Sequence, residues 1–381
     1  MSGLTIEEVA QLCQTLTITD RASDAGRWPV ATPWADMNTT ALLALTKSEG
    51  ADVWLDRRLR ENRTAVPVTI ATKLRERMKR AAVLNLRIDE QTVRVGALLT
   101  AHDLPWALIK GQARRAAASK YPFANARTVS DVDLLVPQDT AHDAWQLLCT
   151  HGFSRLYEES PWIKADHHLP VISDASGVAV ELHTTTMLTV PPTEAWRRAT
   201  EGSDEVEWQG LAVRVPSATE LVWQALAGGA ADGVEGFALR ALLSVAAILT
   251  TQPSIDWELI AARMAAAEVA EVETDRRVGD EQLRRYLDLA AAFAGVEVPA
   301  VFRPRTPANI ALLLRWRSRL YGSRVPRAVR ERLLEEGLRV EASLPLTPWH
   351  ALIDPFRNTR RRVSSIAARA IYTGWRASHG S

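Results

Sequence analysis

The sequence predicts an α+β fold: a small mixed sheet flanked by N-terminal and C-terminal helical regions. Three observations predict it. Apolar residues recur at helical spacing before residue 98 and again after residue 217. Between those limits lie short runs rich in β-branched residues, separated by Gly, Pro, Asp and Ser clusters. Strand-like and helix-like segments alternate there and end in a hairpin, which mixes strand directions. The expected regions are 1–98 (helical), 99–216 (α/β) and 217–381 (helical, with an arginine-rich tail).

In the first region Leu42, Leu43 and Leu45 begin one amphipathic stretch, and Ile70 to Leu99 forms a long apolar-periodic one. The pattern then changes. Pro105 to Ile109 is a short apolar run ending at Lys110-Gly111, followed by a helical segment, Gln112 to Lys120. The run Asp131-Val132-Asp133-Leu134-Leu135-Val136 reads as a buried strand, and Gln138 to Thr150 as a helix stopped at His151-Gly152. Further strands are expected at Phe153–Leu156, His168–Ser173 and Val178–His183, with Asp174 to Gly177 turning between the last two. A strand pair at Glu205–Trp208 and Leu211–Val215, joined by Gln209-Gly210, is expected to extend the sheet. Helices follow at Thr219–Ala231, Glu235–Leu249, Asp256–Ala267, Glu281–Ala294, Ala308–Tyr321 and Pro326–Val340.

With 47% hydrophobic and 24% charged residues over 381 positions, the chain has ordinary globular composition and room for two or three domains. Two cysteines, Cys13 and Cys149, cannot build a disulfide framework and fit a reducing compartment. The first residues lack the basic and apolar segments of a secretory signal. Apolar runs such as Ala241 to Leu249 are too short to span a bilayer. A cytoplasmic protein without membrane contact is expected. The net charge of +1 conceals an uneven distribution: from Arg303 onward there are 16 arginines against 5 acidic residues. The Arg303–Arg376 stretch reads either as solvated helical faces or as a surface for nucleic acid or an acidic partner. The 13 tryptophans are scattered, as packing residues would be.

The chemistry concentrates in the middle region. Successive strand side chains alternate faces, so Asp131 and Asp133 project from the same one. Two carboxylates that close resist joint ionisation. A hard divalent cation, Mg²⁺ or Mn²⁺, removes the conflict and brings phosphates with it. In Val178-Ala179-Val180-Glu181-Leu182-His183, alternation separates Glu181 and His183 from Val180 and Leu182. Glu181 is then either an exposed edge residue or a third acid that binds metal or takes a hydroxyl proton. Lys110 and Gly111 stand where a strand turns into a helix, suiting a phosphate, or only a helix start with a solvated lysine. Arg127 precedes the acids and can pair with phosphate or clamp Asp131, while Ser130 caps a turn or bonds phosphate. His168 and His183 are expected to approach across the hairpin and either line a pocket or make structural hydrogen bonds. No Walker loop, dinucleotide fingerprint, zinc-ligand spacing or nucleophile elbow is present.

The order Leu-Ile-Lys-Gly, then Arg-x-x-Ser-Asp-x-Asp-Leu-Leu-Val, then a helix, Gly-Phe, paired His and Val-Glu-Leu-His resembles a bacterial family of uncharacterised nucleotidyltransferases. That family belongs to the DNA polymerase beta-like nucleotidyltransferase superfamily, and some members lie near lasso peptide biosynthesis genes. The resemblance spans roughly residues 40–300. It implies that Asp131, Asp133 and Glu181 hold Mg²⁺ (or Mn²⁺) against an NTP such as ATP. It implies further that Lys110, Gly111, Gln112, Arg127 and Ser130 contact the nucleotide. Here Lys-Gly-Gln stands in place of the superfamily's Gly-Ser. The implied activity is transfer of an NMP to a hydroxyl on a small molecule, peptide or RNA. The alternatives are a catalytically silent scaffold and a toxin-like enzyme acting on tRNA through the arginine-rich stretch.

Overall fold

The computed structural model describes residues 3–18, 33–121, 129–156, 168–187, 190–232, 239–251, 253–270, 280–305 and 310–321. All of them lie within one compact unit, Ser2–Tyr321. Arg127, His167 and the helix expected over Pro326–Val340 lie outside the described residues.

Among the described residues the α-helices that come first are α1 (Ile6–Leu16), α2 (Thr39–Ser48), α3 (Asp52–Glu61) and α4 (Val68–Ala101). Thr5 and Glu8 cap α1 reciprocally, each side chain accepting the other's backbone N–H. Helix α4 runs for 34 residues because Ile70, Leu74, Ala81, Ile88, Val95 and Leu99 keep one buried stripe through it. It ends in a Schellman turn, in which Leu104 N–H donates to Leu99 O at 3.0 Å. The left-handed position falls on Asp103, φ 55°, an aspartate in place of the usual glycine.

The sheet follows. Its strands are β1 (Ala107–Leu108), β2 (Asp131–Leu135), β3 (Ser154–Arg155), β4 (Ile172–Ser173) and β5 (Ala179–His183), in the spatial order β1-β2-β5-β4-β3. Strands β2 and β5 are parallel, while the other neighbours are antiparallel. A parallel pair needs a crossover. Here α6 (Ala141–Thr150) and the β3 and β4 strands lie between its two members. The short α5 (Lys110–Ala116) connects with the edge strand β1. The predicted α+β class and mixed strand directions are observed.

After the sheet come α7 (Pro192–Thr200), then β6 (Asp204–Trp208) and β7 (Leu211–Val215). Both turn residues, Gln209 and Gly210, have positive φ, as a two-residue hairpin with the native twist requires. This pair does not extend the main sheet as expected. It forms a separate two-stranded sheet. Strand β7 lies against β1, α4 and α5, so it covers the sheet's margin by side-chain packing without joining the ladder. Among the described residues the remaining helices are α8 (Ala218–Asp232), α9 (Leu239–Leu249), α10 (Trp257–Ala270), α11 (Asp280–Ala294) and α12 (Ile310–Tyr321).

The two ends of the described chain meet. Leu4 N–H donates to Ser318 Oγ at 2.8 Å, and Ile18 N–H to Phe293 O at 2.8 Å. Arg317, on α12, pairs with the buried Glu49. That arginine of the basic stretch is therefore a packing residue. Among the described residues no helix is long and apolar enough to cross a membrane.

Gly96 is where α4 meets the α/β layer: a Cβ there would sit 2.5 Å from Trp106 Cζ2 and 2.9 Å from Leu211 Cδ2. Gly96→Ala is expected to destabilise by about 1–3 kcal/mol through overpacking, despite alanine's better helix propensity. Urea unfolding checks this, and a stabilised variant would show that Trp106 repacks freely.

Candidate active site

The β2–β5 register builds the site. Asp131 is paired with Ala179, Asp133 with Glu181 and Leu135 with His183. All six residues belong to one face of the sheet, so Asp133 and Glu181 stand side by side as cross-strand neighbours. The opposite face carries Val132, Leu134, Val180 and Leu182, all buried. At the Leu135 end the acidic face is closed, where Leu135 packs with Ile109 and Ala199 of α7. At the other end Asp131 is half-buried and Ser130 exposed.

Asp133 is the centre. It is only 6% exposed. Its Oδ1 accepts from Lys110 Nζ at 2.8 Å and from His183 Nε2 at 2.8 Å. The same His183 nitrogen lies 3.2 Å from Glu181 Oε2, and Lys110 Nζ lies 3.2 Å from it. Burial raises the Asp133 carboxyl, but the His183 hydrogen bond and the Lys110 charge outweigh it and hold the group well below the usual carboxylate range. Glu181 is lowered by its hydrogen bond from His183, against burial and the charge of Asp133. Burial lowers His183, yet its bonds to Asp133 and Glu181 prevail, so it is raised above the ordinary 6.5. Asp131 goes the other way: burial pushes it up, and repulsion from Asp133 and Glu181 adds to this. The two aspartates, one residue apart, are thus separated in basicity.

Lys110 reaches Asp133 from the first position of α5 in an unusual backbone conformation. Its φ is 51°, a left-handed geometry that costs a non-glycine residue on the order of 1–2 kcal/mol. Its backbone N–H donates to Gln224 Oε1 of α8 at 3.1 Å. Gly111 and Gln112 do not join the cluster. Gly111 is buried in α5, and Gln112, fully buried, donates from Nε2 to Thr92 Oγ1 of α4 at 2.7 Å. Ser130 is exposed beside Asp131, whose carboxyl it helps to lower against the effect of burial. His168 Nδ1–H donates to Leu169 O at 2.7 Å, and its ring meets His183 edge-on with centroids 5.4 Å apart. Sequence reasoning missed Gln224. The available signal was two polar residues at i and i+4, Glu220 and Gln224, within the apolar run of α8.

Asp133, Glu181 and His183 each offer a ligand atom, and these atoms lie within 4.8 Å of one another, close enough to share one ion. Two carboxylates at that separation repel by on the order of 3 kcal/mol at an effective dielectric of about 20. The donor set fits a divalent cation, with oxygen ligands suiting Mg²⁺ or Mn²⁺ and the imidazole favouring the latter.

A family model described as "Uncharacterised nucleotidyltransferase" matches residues 35–273, more than half of the chain. Among solved structures, a match is the crystal structure of an antigenic nucleotidyltransferase-like protein from Paracoccidioides brasiliensis, 17% identical. It covers 49% of this chain and 92% of that one, with a TM-score of 0.28. No curated protein matches the chain significantly.

The opposed shifts set a pH dependence for the metal-free protein. His183 is raised, so its contribution to stability is full below about pH 6.5 and is lost as pH climbs through its folded value. Asp133 is depressed, so its contribution is present above about pH 4 and is lost as pH falls. With metal chelated, the stability advantage of the wild type over His183→Gln is expected to shrink between pH 6 and pH 9. Urea midpoints at several pH values check this; an advantage that grows over that range would reverse the assigned sign.

Proposed function

Because the chain belongs to the uncharacterised nucleotidyltransferase family, we propose that it is a divalent-metal-dependent nucleotidyltransferase. It moves an NMP from an NTP to an acceptor hydroxyl. The observation that carries this reading is the convergence of Lys110 and His183 on one oxygen of Asp133, with Glu181 against the same His183 nitrogen.

In this reading Asp133 and Glu181 hold Mg²⁺ or Mn²⁺ with His183 beside them, while Asp131 stands outside that group of converging ligand atoms. The bound cation supplies neutralisation of charge on the reacting phosphate. The chain's own groups do the rest. Lys110, whose ammonium now offsets Asp133, turns to the triphosphate once that carboxylate is otherwise neutralised. Asp131 lies at the open end of the strand with raised basicity, which suits it to take the proton of the attacking hydroxyl. His183, buried and bonded to both Asp133 and Glu181, fixes the orientation of the two carboxylates. The acceptor is a hydroxyl on a small molecule, a peptide or an RNA, with peptide natural-product tailoring as one setting.

Four labelled NTPs, each with Mg²⁺ or Mn²⁺ and cell extract, test the reading, and product mass identifies the acceptor class. Asp133→Ala is expected to lower transfer at least a thousandfold, since it removes a metal ligand and strands two cations. Persistent label incorporation by that variant would overturn the site assignment. Lys110→Ala is expected to weaken NTP binding about tenfold or more, equivalent to about 1.4 kcal/mol; an unchanged Kd would return Lys110 to a structural role. No transfer from any NTP would favour a silent binding protein.

A further inference from the structure

Helix α5 is too short to be stable in isolation, and its first residue has a backbone conformation that few lysines adopt. Something outside α5 must hold it. The Lys110 N–H donates to Gln224 Oε1 at 3.1 Å, and Gln224 Nε2 donates to Glu220 Oε1 at 3.1 Å. The other oxygen of Glu220 accepts from Arg263 Nη1 at 2.5 Å. Glu220 is 2% exposed, and Gln224 and Arg263 are 7% exposed. The Arg263 guanidinium lies 5.9 Å over the Trp223 ring, which pins it from another side. A second bond, Asp256 N–H to Thr219 Oγ1 at 2.9 Å, ties the residue preceding α10 to α8.

The chain of bonds is directional. Arginine has donors only and a carboxylate acceptors only, so Glu220 must present an acceptor to Gln224. That forces the amide NH₂ toward Glu220 and the amide oxygen toward α5, where it can accept only an N–H. A buried ion pair is a poor route to stability, because well-packed apolar residues often serve as well. Here the pair orients an amide that fixes the backbone of Lys110, the one lysine among the described residues that touches the acidic cluster.

We infer that Gln224, oriented by the Glu220–Arg263 pair, is a positioning residue that fixes the Lys110 backbone so that its ammonium meets Asp133. The inference rests on the proposed nucleotide site for its consequence in binding, but not for its structural content. It places control of the site in helices α8 and α10, with Gln224 lying 114 residues along the chain from Lys110.

Two readouts need no turnover: hydrogen exchange of the Lys110 amide, and acylation rate of the Lys110 amine followed by mass spectrometry. In the full chain Gln224→Met is expected to speed amide exchange at Lys110 at least tenfold, to change its acylation rate, and to raise the NTP KM more than it lowers kcat. At pH 8, Gln224→Glu sets two carboxylates against each other and is expected to do the same. The double variant Glu220→Gln with Gln224→Glu restores every donor–acceptor pair and the net charge, so it is expected to recover exchange protection and KM. Wild-type exchange in Gln224→Met, or equal loss in the single and double glutamate variants, would overturn the inference. If Gln224→Met fails to fold by circular dichroism, the comparison of Gln224→Glu with the double variant decides alone. A wild-type protein with a protected Lys110 amide but no transfer from any NTP would sink the transfer reading and leave this one standing.

Discussion

A carboxylate can be buried in a sheet only if nearby groups replace the water it gives up. Asp133 is such a group, and the arrangement of the site follows from it. The parallel register sets Glu181 directly beside it, which makes the problem worse by adding a second negative charge. Two donors relieve it. His183 arrives from the end of the same strand as Glu181, two residues on, and Lys110 from the start of α5, just past the edge strand β1 on the other side of β2. Two adjacent strands and the start of α5 are therefore required to keep one oxygen satisfied.

Compensation is local, and that gives the two aspartates different characters. Asp133 is deep and has both donors, while Asp131, at the strand's start, has Ser130 and the repulsion of its neighbours. One acid is held ionised and the other is easier to protonate. Such a split is how paired carboxylates divide an anchoring role from a proton-handling one.

Much of this was legible in the sequence, and the reason is the period of two. Alternation alone placed Asp131 with Asp133, and Glu181 with His183, on common faces. The hairpin at Gln209-Gly210 was legible from its turn residues. What alternation cannot supply is register between strands distant in sequence, so the pairing of Asp133 with Glu181 needed the fold. The Lys-Gly-Gln segment shows the limit most clearly. Sequence reasoning grouped Lys110, Gly111 and Gln112 as phosphate contacts, yet Lys110 turns to Asp133 while Gln112 turns to Thr92. Along a helix start, neighbours in sequence point apart. Nor could composition show that Arg317 neutralises the buried Glu49, since the two are separated by most of the chain.

The helical bulk around the sheet has a reason in the same terms. Helix α5 holds Lys110 at its start and Gln112 two residues later, and it is clamped at both: by α8 through Gln224 and by α4 through Thr92. One clamp comes from the N-terminal helices and the other from the C-terminal ones. A single turn or two of helix has little stability of its own, so its conformation is set by what it bonds to. The Lys110–Asp133 contact thus depends on helices from both sides of the sheet in sequence, and the α/β region taken alone would lack both clamps.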